Sequence, residues 1–207
     1  MRGSFVVPRC AAAALVLLGL SGCAERPGAD ENAAKTTDAG PRADDGEQTA
    51  DEKGPAITVR PADRQVYEDL LKQHQGKVVL VDCWATWCLS CMEQFPHTVK
   101  LHEQYASEGL AVISVNFDEP ENVTAVKEVL AARRAVFDNL QSKWGSGEQS
   151  FEAFDIKSGT LPEYKLYDRT GQLRETFLVD PSADKQFTPE DIERSVKALL
   201  AQGDAAG

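Results

Sequence analysis

An α/β fold with a central mixed sheet between two layers of helices is predicted by three features of the 207-residue sequence. Two runs, "KVVLVDCWA" at residues 77–85 and "LAVISVNFD" at 110–118, are apolar at neighbouring as well as alternate positions, as in strands covered on both faces. Each is followed by a stretch with helical spacing, and strand, helix, strand, helix is the grammar of a parallel sheet. The last third holds two alternating strands around a turn and then one helix. The order is therefore βαβ followed by ββα in a three-layer α/β/α sandwich.

Ahead of that domain stand two segments of another kind. Residues 1–22 carry Arg2 and Arg9 and then "AAAALVLLGL", an apolar run of about ten residues, too short to span a bilayer about 30 Å thick and suited to an export signal. Its end, "LSGC", resembles the lipobox of bacterial lipoproteins, which implies cleavage before Cys23, acylation of Cys23 and loss of Cys10 with the signal; an ordinary secretory signal is the alternative. Residues 23–54 contain no Leu, Ile, Val, Phe, Trp, Tyr or Met. Such a stretch cannot bury enough apolar surface to offset its ordering entropy, and it is expected to be a disordered acidic tether with a reach of about 30 Å. Loss of Arg2 and Arg9 takes the formal net charge from −11 to −13, which argues against nucleic acid as a partner.

The domain is expected over residues 55–207. "AITVR" reads as a weak strand, and the following helix places Val66, Leu70 and Leu71 at helical spacing with Gly76 as its stop. After the first apolar strand, "CMEQFPHTVKLHEQYASEG" reads as a helix interrupted by Pro96 and closed by Gly109; after the second, "PENVTAVKEVLAARR" reads as a helix with Pro120 near its first turn. Residues 137–156 fit either a short strand with one helical turn or mostly loop. "LPEYKLYDRTGQLRETFLVD" alternates around Asp168-Arg169-Thr170-Gly171, the signature of an antiparallel hairpin. The last helix starts at Thr188 and Pro189, with Ile192, Val196, Leu199 and Leu200 as its buried stripe.

Within this order "VDCWATWCLSC" resembles the strand and Cys-x-x-Cys motif of the thioredoxin fold, with Trp84, Ala85, Trp87, Cys88 and Cys91 in place. Pro96 lies where that family bends its active-site helix, and Pro162 in "GTLPEYKLYD" lies where it carries a cis-proline. The likeness spans roughly residues 57–202, and the signal and lipobox in front point to membrane-anchored thioredoxin-like proteins of the TlpA kind. The resemblance implies a cis Pro162, with Leu161 presenting its backbone to a substrate strand beside Cys88. Trp84 and Trp87 are expected to wall the site.

The chemistry also follows from the residues. Thiol exchange needs a thiolate, and a free cysteine with a pKa near 8.5 supplies little at neutral pH. A cysteine at a helix N-terminus gains from the dipole and the unpaired N–H groups, which marks Cys88 as the attacking sulfur. Cys91, one turn on, returns to the same face and can close a Cys88–Cys91 disulfide. A structural zinc site needs about four ligands; the domain adds only Cys83 and three histidines without ligand spacing, so no metal is expected. Asp82, a carboxylate inside an apolar strand, is expected to have a raised pKa and to take the proton of Cys91. Cys83 points to the opposite face of the strand and is expected to pack as a small hydrophobe. His74, His97 and His102 read as helix-surface residues. No glycine-rich nucleotide loop is present, and no cofactor is expected.

Two positions depart from the family pattern. Leu89-Ser90 stands between the cysteines where Gly-Pro is frequent, and Glu163 follows the proline where threonine is common. The intervening pair tunes potential and thiol pKa, so reduction, oxidation and isomerisation are all open from sequence. Anchored relatives act mostly as reductants. The resemblance thus implies an exported lipoprotein facing the periplasm or the cell exterior, which reduces disulfide-bearing proteins with electrons from a thiol donor in the membrane. The alternative is a thioredoxin-like metal-binding or copper-delivery module that uses Cys88 and Cys91 without redox turnover.

Overall fold

The computed structural model describes residues 57–203, and the expected signal, lipobox at Cys23 and tether lie outside them. The elements in chain order are β1 (Arg60–Ala62), α1 (Arg64–Gln73), β2 (Val78–Trp84), α2 (Leu89–Tyr105), β3 (Leu110–Asn116), α3 (Val123–Ala132), β4 (Asp138–Ser142), α4 (Glu148–Ala153), β5 (Glu163–Tyr167), β6 (Leu173–Leu178) and α5 (Pro189–Gly203). They form one six-stranded sheet in the order β1-β4-β3-β2-β5-β6. The β1, β4, β3 and β2 ladders are parallel, and β5 and β6 complete the sheet antiparallel. This is the mixed sheet expected from βαβ followed by ββα. Among the described residues no helix is long and apolar enough to cross a membrane.

β2 sits at the centre because both of its faces are apolar. Val78 and Leu80 join Leu101 of α2, Ile192, Val196 and Leu200 of α5, and Tyr164 and Leu166 of β5 in one core cluster. Val79, Val81 and Cys83 join Tyr67 and Leu70 of α1 with Val126 and Leu130 of α3 in the other. Every residue of β2 and of β3 is buried. At about 25 cal/mol for each Å² of apolar surface removed from water, such two-sided burial holds the centre of the sheet more firmly than ladder bonds alone.

The departures from expectation have local causes. The first strand begins at Arg60 and runs through Pro61, past most of "AITVR". It is an edge strand whose one ladder partner is β4, where proline is tolerated. α2 starts at Leu89 and continues through Pro96 without a break, and a short 3₁₀ turn follows before Gly109 closes it at φ 98°. Pro120 opens a 3₁₀ turn, and α3 itself starts at Val123. Within residues 137–156 the chain forms both a strand and a short helix. β4 lacks an apolar pattern because only Leu140 of its buried side chains is apolar, while Asn139, Gln141 and Ser142 are polar and satisfied. Asn139 accepts from the Ser114 hydroxyl at 2.8 Å, and Gln141 donates to the Glu119 carbonyl at 3.0 Å. Ser142 and Ser150 share a hydrogen bond of 2.6 Å.

The three histidines are half-buried, which corrects their reading as surface residues. His74 pairs with Asp138 at 2.8 Å, and the His102 ring packs edge-on against Phe137 at 5.3 Å. Burial lowers the pKa of His97 and of His102. The hairpin turn after β5 adds a staple: Arg169 donates to the carbonyls of Gly76, Glu108 and Leu200, so one cation serves the carbonyl ends of three segments. Gly109 closes that helix end in the left-handed region at φ 98°, which is why glycine suits it, and a Cβ there would also stand 2.8 Å from the Arg169 guanidinium.

Candidate active site

The loop between β2 and α2 is fixed before its cysteines are reached. The Phe117 N–H donates to the Trp84 carbonyl at 2.9 Å, carrying the β2–β3 ladder one residue further. Asp118, buried just after β3, accepts the Thr86 N–H at 2.8 Å and also the Thr86 hydroxyl. Asn116 holds the same carboxylate at 2.7 Å. Asp118 thus clamps the backbone two residues ahead of Cys88. Sequence reasoning missed it, although a carboxylate closing an otherwise apolar strand end was the available signal.

Cys88 occupies the N-cap of α2, with the backbone extended at φ −87° and ψ 100°. Its sulfur accepts the Cys91 N–H at 3.2 Å, and the Ser90 hydroxyl lies 3.6 Å away. Both groups, together with the positive end of a 17-residue helix, favour a thiolate at this position over a thiol. Cys88 and Cys91 are joined in a disulfide with an S–S distance of 2.06 Å and a Cα–Cα distance of 5.2 Å. The two sulfurs differ in access: Cys88 is 7% exposed and Cys91 1%. Around them, Trp87 and Leu89 stand 58% and 74% exposed, more than any other large apolar residue described, and form an apolar rim. Trp84 is no part of that rim. It is fully buried and packs against Phe95 at 4.7 Å, so it belongs to the core.

Asp82 lies in the middle of the sheet, 1% exposed, opposite Tyr164 on β5. Its Oδ2 accepts the Thr98 hydroxyl at 2.6 Å, and its Oδ1 has no protein hydrogen-bond partner. Desolvation raises its pKa to about 7, against the smaller opposing effect of the Thr98 bond. Thr98 follows Cys91 by seven residues on α2, so the two share the buried face of that helix, and Asp82 meets this face. Thr98 escaped the sequence reading. Its seven-residue spacing from Cys91 was a visible but unremarkable signal.

Cys83 is the free cysteine among the described residues, and it is buried on the opposite side of β2. Burial pushes its thiol far above the ordinary range, which leaves it a packing residue at neutral pH. The Leu161–Pro162 peptide is cis, as the resemblance implies. Because Glu163 is the register partner of Cys83, the cis bond falls at the end of β2 that leads into the Cys88 loop. Leu161 packs against the cluster that contains Cys88 and Cys91. The site so assembled offers a dithiol at a helix N-terminus, a carboxylate that titrates near neutrality, an apolar rim and a cis-proline edge. Among the described residues no group of three or more His, Cys, Asp or Glu side chains is placed to hold a metal ion.

Comparison with known proteins agrees with this assembly. The model of the AhpC/TSA family matches residues 51–184. The thiol-disulfide oxidoreductase ResA of Geobacillus kaustophilus is 26% identical over 138 residues, covering 66% of this chain and 71% of that protein. Protein DipZ of Mycobacterium tuberculosis is 47% identical over 111 residues, half of this chain but 15% of the relative. Among solved structures, a thiol:disulfide interchange protein DsbE from Chlorobium tepidum is similar with a TM-score of 0.50 and 28% identity, over 63% of this chain and 84% of its own.

Proposed function

The chain belongs to the AhpC/TSA family with a thioredoxin-like fold, and from that premise we propose that it is a thiol-disulfide oxidoreductase working as a reductase of extracytoplasmic protein disulfides. The observation that carries this reading is the unequal pair: Cys88 caps α2 and reaches the surface, while Cys91 is covered behind it. In the dithiol form the Cys88 thiolate attacks one sulfur of a substrate disulfide. The substrate S–S bond breaks, a mixed disulfide forms on Cys88, and the first substrate sulfur leaves as a thiolate that takes up a proton. Asp82 accepts the Cys91 proton, directly or through water. Cys91 then displaces the second substrate sulfur and closes the Cys88–Cys91 bond. Two electrons pass to the substrate, and a thiol donor, on this reading a membrane protein, must return them. Trp87 and the Leu161–Pro162 edge serve as the docking surface for the substrate chain.

The same reading makes the chain a lipoprotein held at the membrane through acylated Cys23, with residues 23–54 as the tether and the domain facing the periplasm or the cell exterior. The lipobox and the acidic, apolar-free composition support this placement. Cys23→Ser should move the protein from the membrane fraction to the soluble fraction; unchanged fractionation would reject the anchor.

Reduced full-length protein is expected to reduce insulin catalytically with dithiothreitol as donor, and its dithiol potential should lie nearer about −270 mV than about −120 mV. Tight Cu(I) binding with no insulin turnover would move the assignment to a metal-binding module.

A further inference from the structure

Glu163 is the first residue of β5 and directly follows the cis Pro162. It is 0% exposed, and its side chain lies on the Cys83 side of the sheet. Oε2 accepts the Lys157 N–H at 2.9 Å and the Ser158 N–H at 3.2 Å, and the Ser158 hydroxyl, whose one hydrogen also faces the Thr160 carbonyl at 3.0 Å, lies 3.3 Å from it. Oε1 accepts no hydrogen bond and faces the Lys165 ammonium at 3.5 Å. Lys165, 2% exposed, donates in turn to the carbonyls of Phe154, at 2.8 Å, and Asp155. Two buried charges on one strand are thus bonded to the backbone of residues 154–158. From there Ser158 Oγ accepts the Thr160 N–H at 3.2 Å, which brings the chain of bonds to the residue before Leu161.

A buried ion pair adds little stability over apolar side chains of the same volume, and apolar residues would serve β5 as well in the core. What apolar residues cannot do is hold backbone N–H groups of a loop in one geometry. We propose that Glu163 is a positioning residue for substrate docking. Through Lys157 and Ser158, and with Lys165 as counter-charge, it fixes the Leu161–Pro162 edge against which an extended segment of a disulfide-bearing protein lays its main chain. This rests on the thiol-disulfide reading of Cys88 and Cys91, and it deepens that reading by separating the docking edge from the sulfur chemistry. A protein substrate uses the edge. A small disulfide needs only the exposed side of Cys88.

The test compares reduced full-length protein acting on insulin and on bis(2-hydroxyethyl) disulfide. Glu163→Thr is expected to raise KM for insulin about fivefold or more, with kcat and the small-disulfide rate within about twofold of wild type. Glu163→Gln, which keeps an oxygen for Lys157 and Ser158, should recover most of the KM. An unchanged KM in Glu163→Thr, or equal slowing with both disulfides, overturns the proposal. Should Glu163→Thr fail to fold, Ser158→Ala cuts the relay in a half-buried loop and must raise the insulin KM by about twofold or more, and no rise overturns it. A wild-type protein that reduces neither disulfide overturns the functional reading itself, an outcome distinct from wild-type turnover with an unmoved KM in the variants.

Discussion

Serine in place of Cys91 yields a protein that reacts once with a disulfide substrate and then stops, holding that substrate on Cys88. The attacking sulfur keeps its place at the N-cap of α2, the backbone N–H that Cys91 supplies to it survives the change of side chain, and the Ser90 hydroxyl stays near it. The first exchange therefore proceeds. Among the described residues no second thiol is then within reach, since Cys83 lies buried on the far face of β2 with its thiol pushed up by desolvation. Insulin turnover should fall by about 10³-fold or more, and a non-reducing gel should show a covalent adduct that dithiothreitol releases. Cys88→Ser should give neither adduct nor turnover, because Cys91 is covered at 1% exposure. An adduct forming on Cys88→Ser as fast as on Cys91→Ser would reverse the roles of the two sulfurs.

How much of this was legible in the sequence depended on where each residue's significance is written. β2 and β3 announce themselves because all seven residues of each are buried and most of them are apolar on both faces, a pattern visible in the local sequence. β4 is just as internal to the sheet but is built from Asn139, Gln141 and Ser142, whose burial rests on partners far away in sequence. Local pattern cannot see such partners, and the same holds for the half-buried histidines. Cys88 and Cys91 could be read from the motif, and Asp82 from its apolar neighbours. Asp118, Thr98 and Lys165 act through tertiary contacts across 32, 16 and 11 residues of chain, so their roles emerge only once the sheet brings them together. Glu163 in particular stood out in sequence as a departure from the family pattern, and its bonds to the Lys157 and Ser158 N–H groups give that departure a physical content.

Asp82→Asn should slow release of the mixed disulfide while making the folded protein more stable at alkaline pH, two effects with one origin. A carboxyl that titrates at about 7 exchanges protons near neutrality, where a general base is most effective. Asparagine cannot accept the Cys91 proton, and the resolving step should slow by about 10²-fold with the first attack within about twofold, resolved by stopped-flow mixing. The stability effect follows from proton linkage. Between the ordinary carboxyl value of 3.8 and about 7 the folded chain retains a proton that the unfolded chain has lost. Stability therefore falls as pH rises through that window and levels off above it. At 1.36 kcal/mol per pKa unit the full cost is about 4 kcal/mol at pH 8, an upper figure for a site that relaxes on ionising. Asparagine escapes that cost but leaves a buried amide beside the atom that Oδ1 occupies without a partner, which returns about 1–3 kcal/mol. A net gain of about 1–3 kcal/mol at pH 8 is expected in urea unfolding. Below about pH 3, a unit under the ordinary carboxyl value, both proteins carry a neutral side chain in the folded and unfolded states, and the pH-dependent part of the gain should vanish. A difference between variant and wild type that stays constant from pH 4 to pH 8 would show that Asp82 does not titrate in this window, and its assignment as the proton acceptor would fall with it.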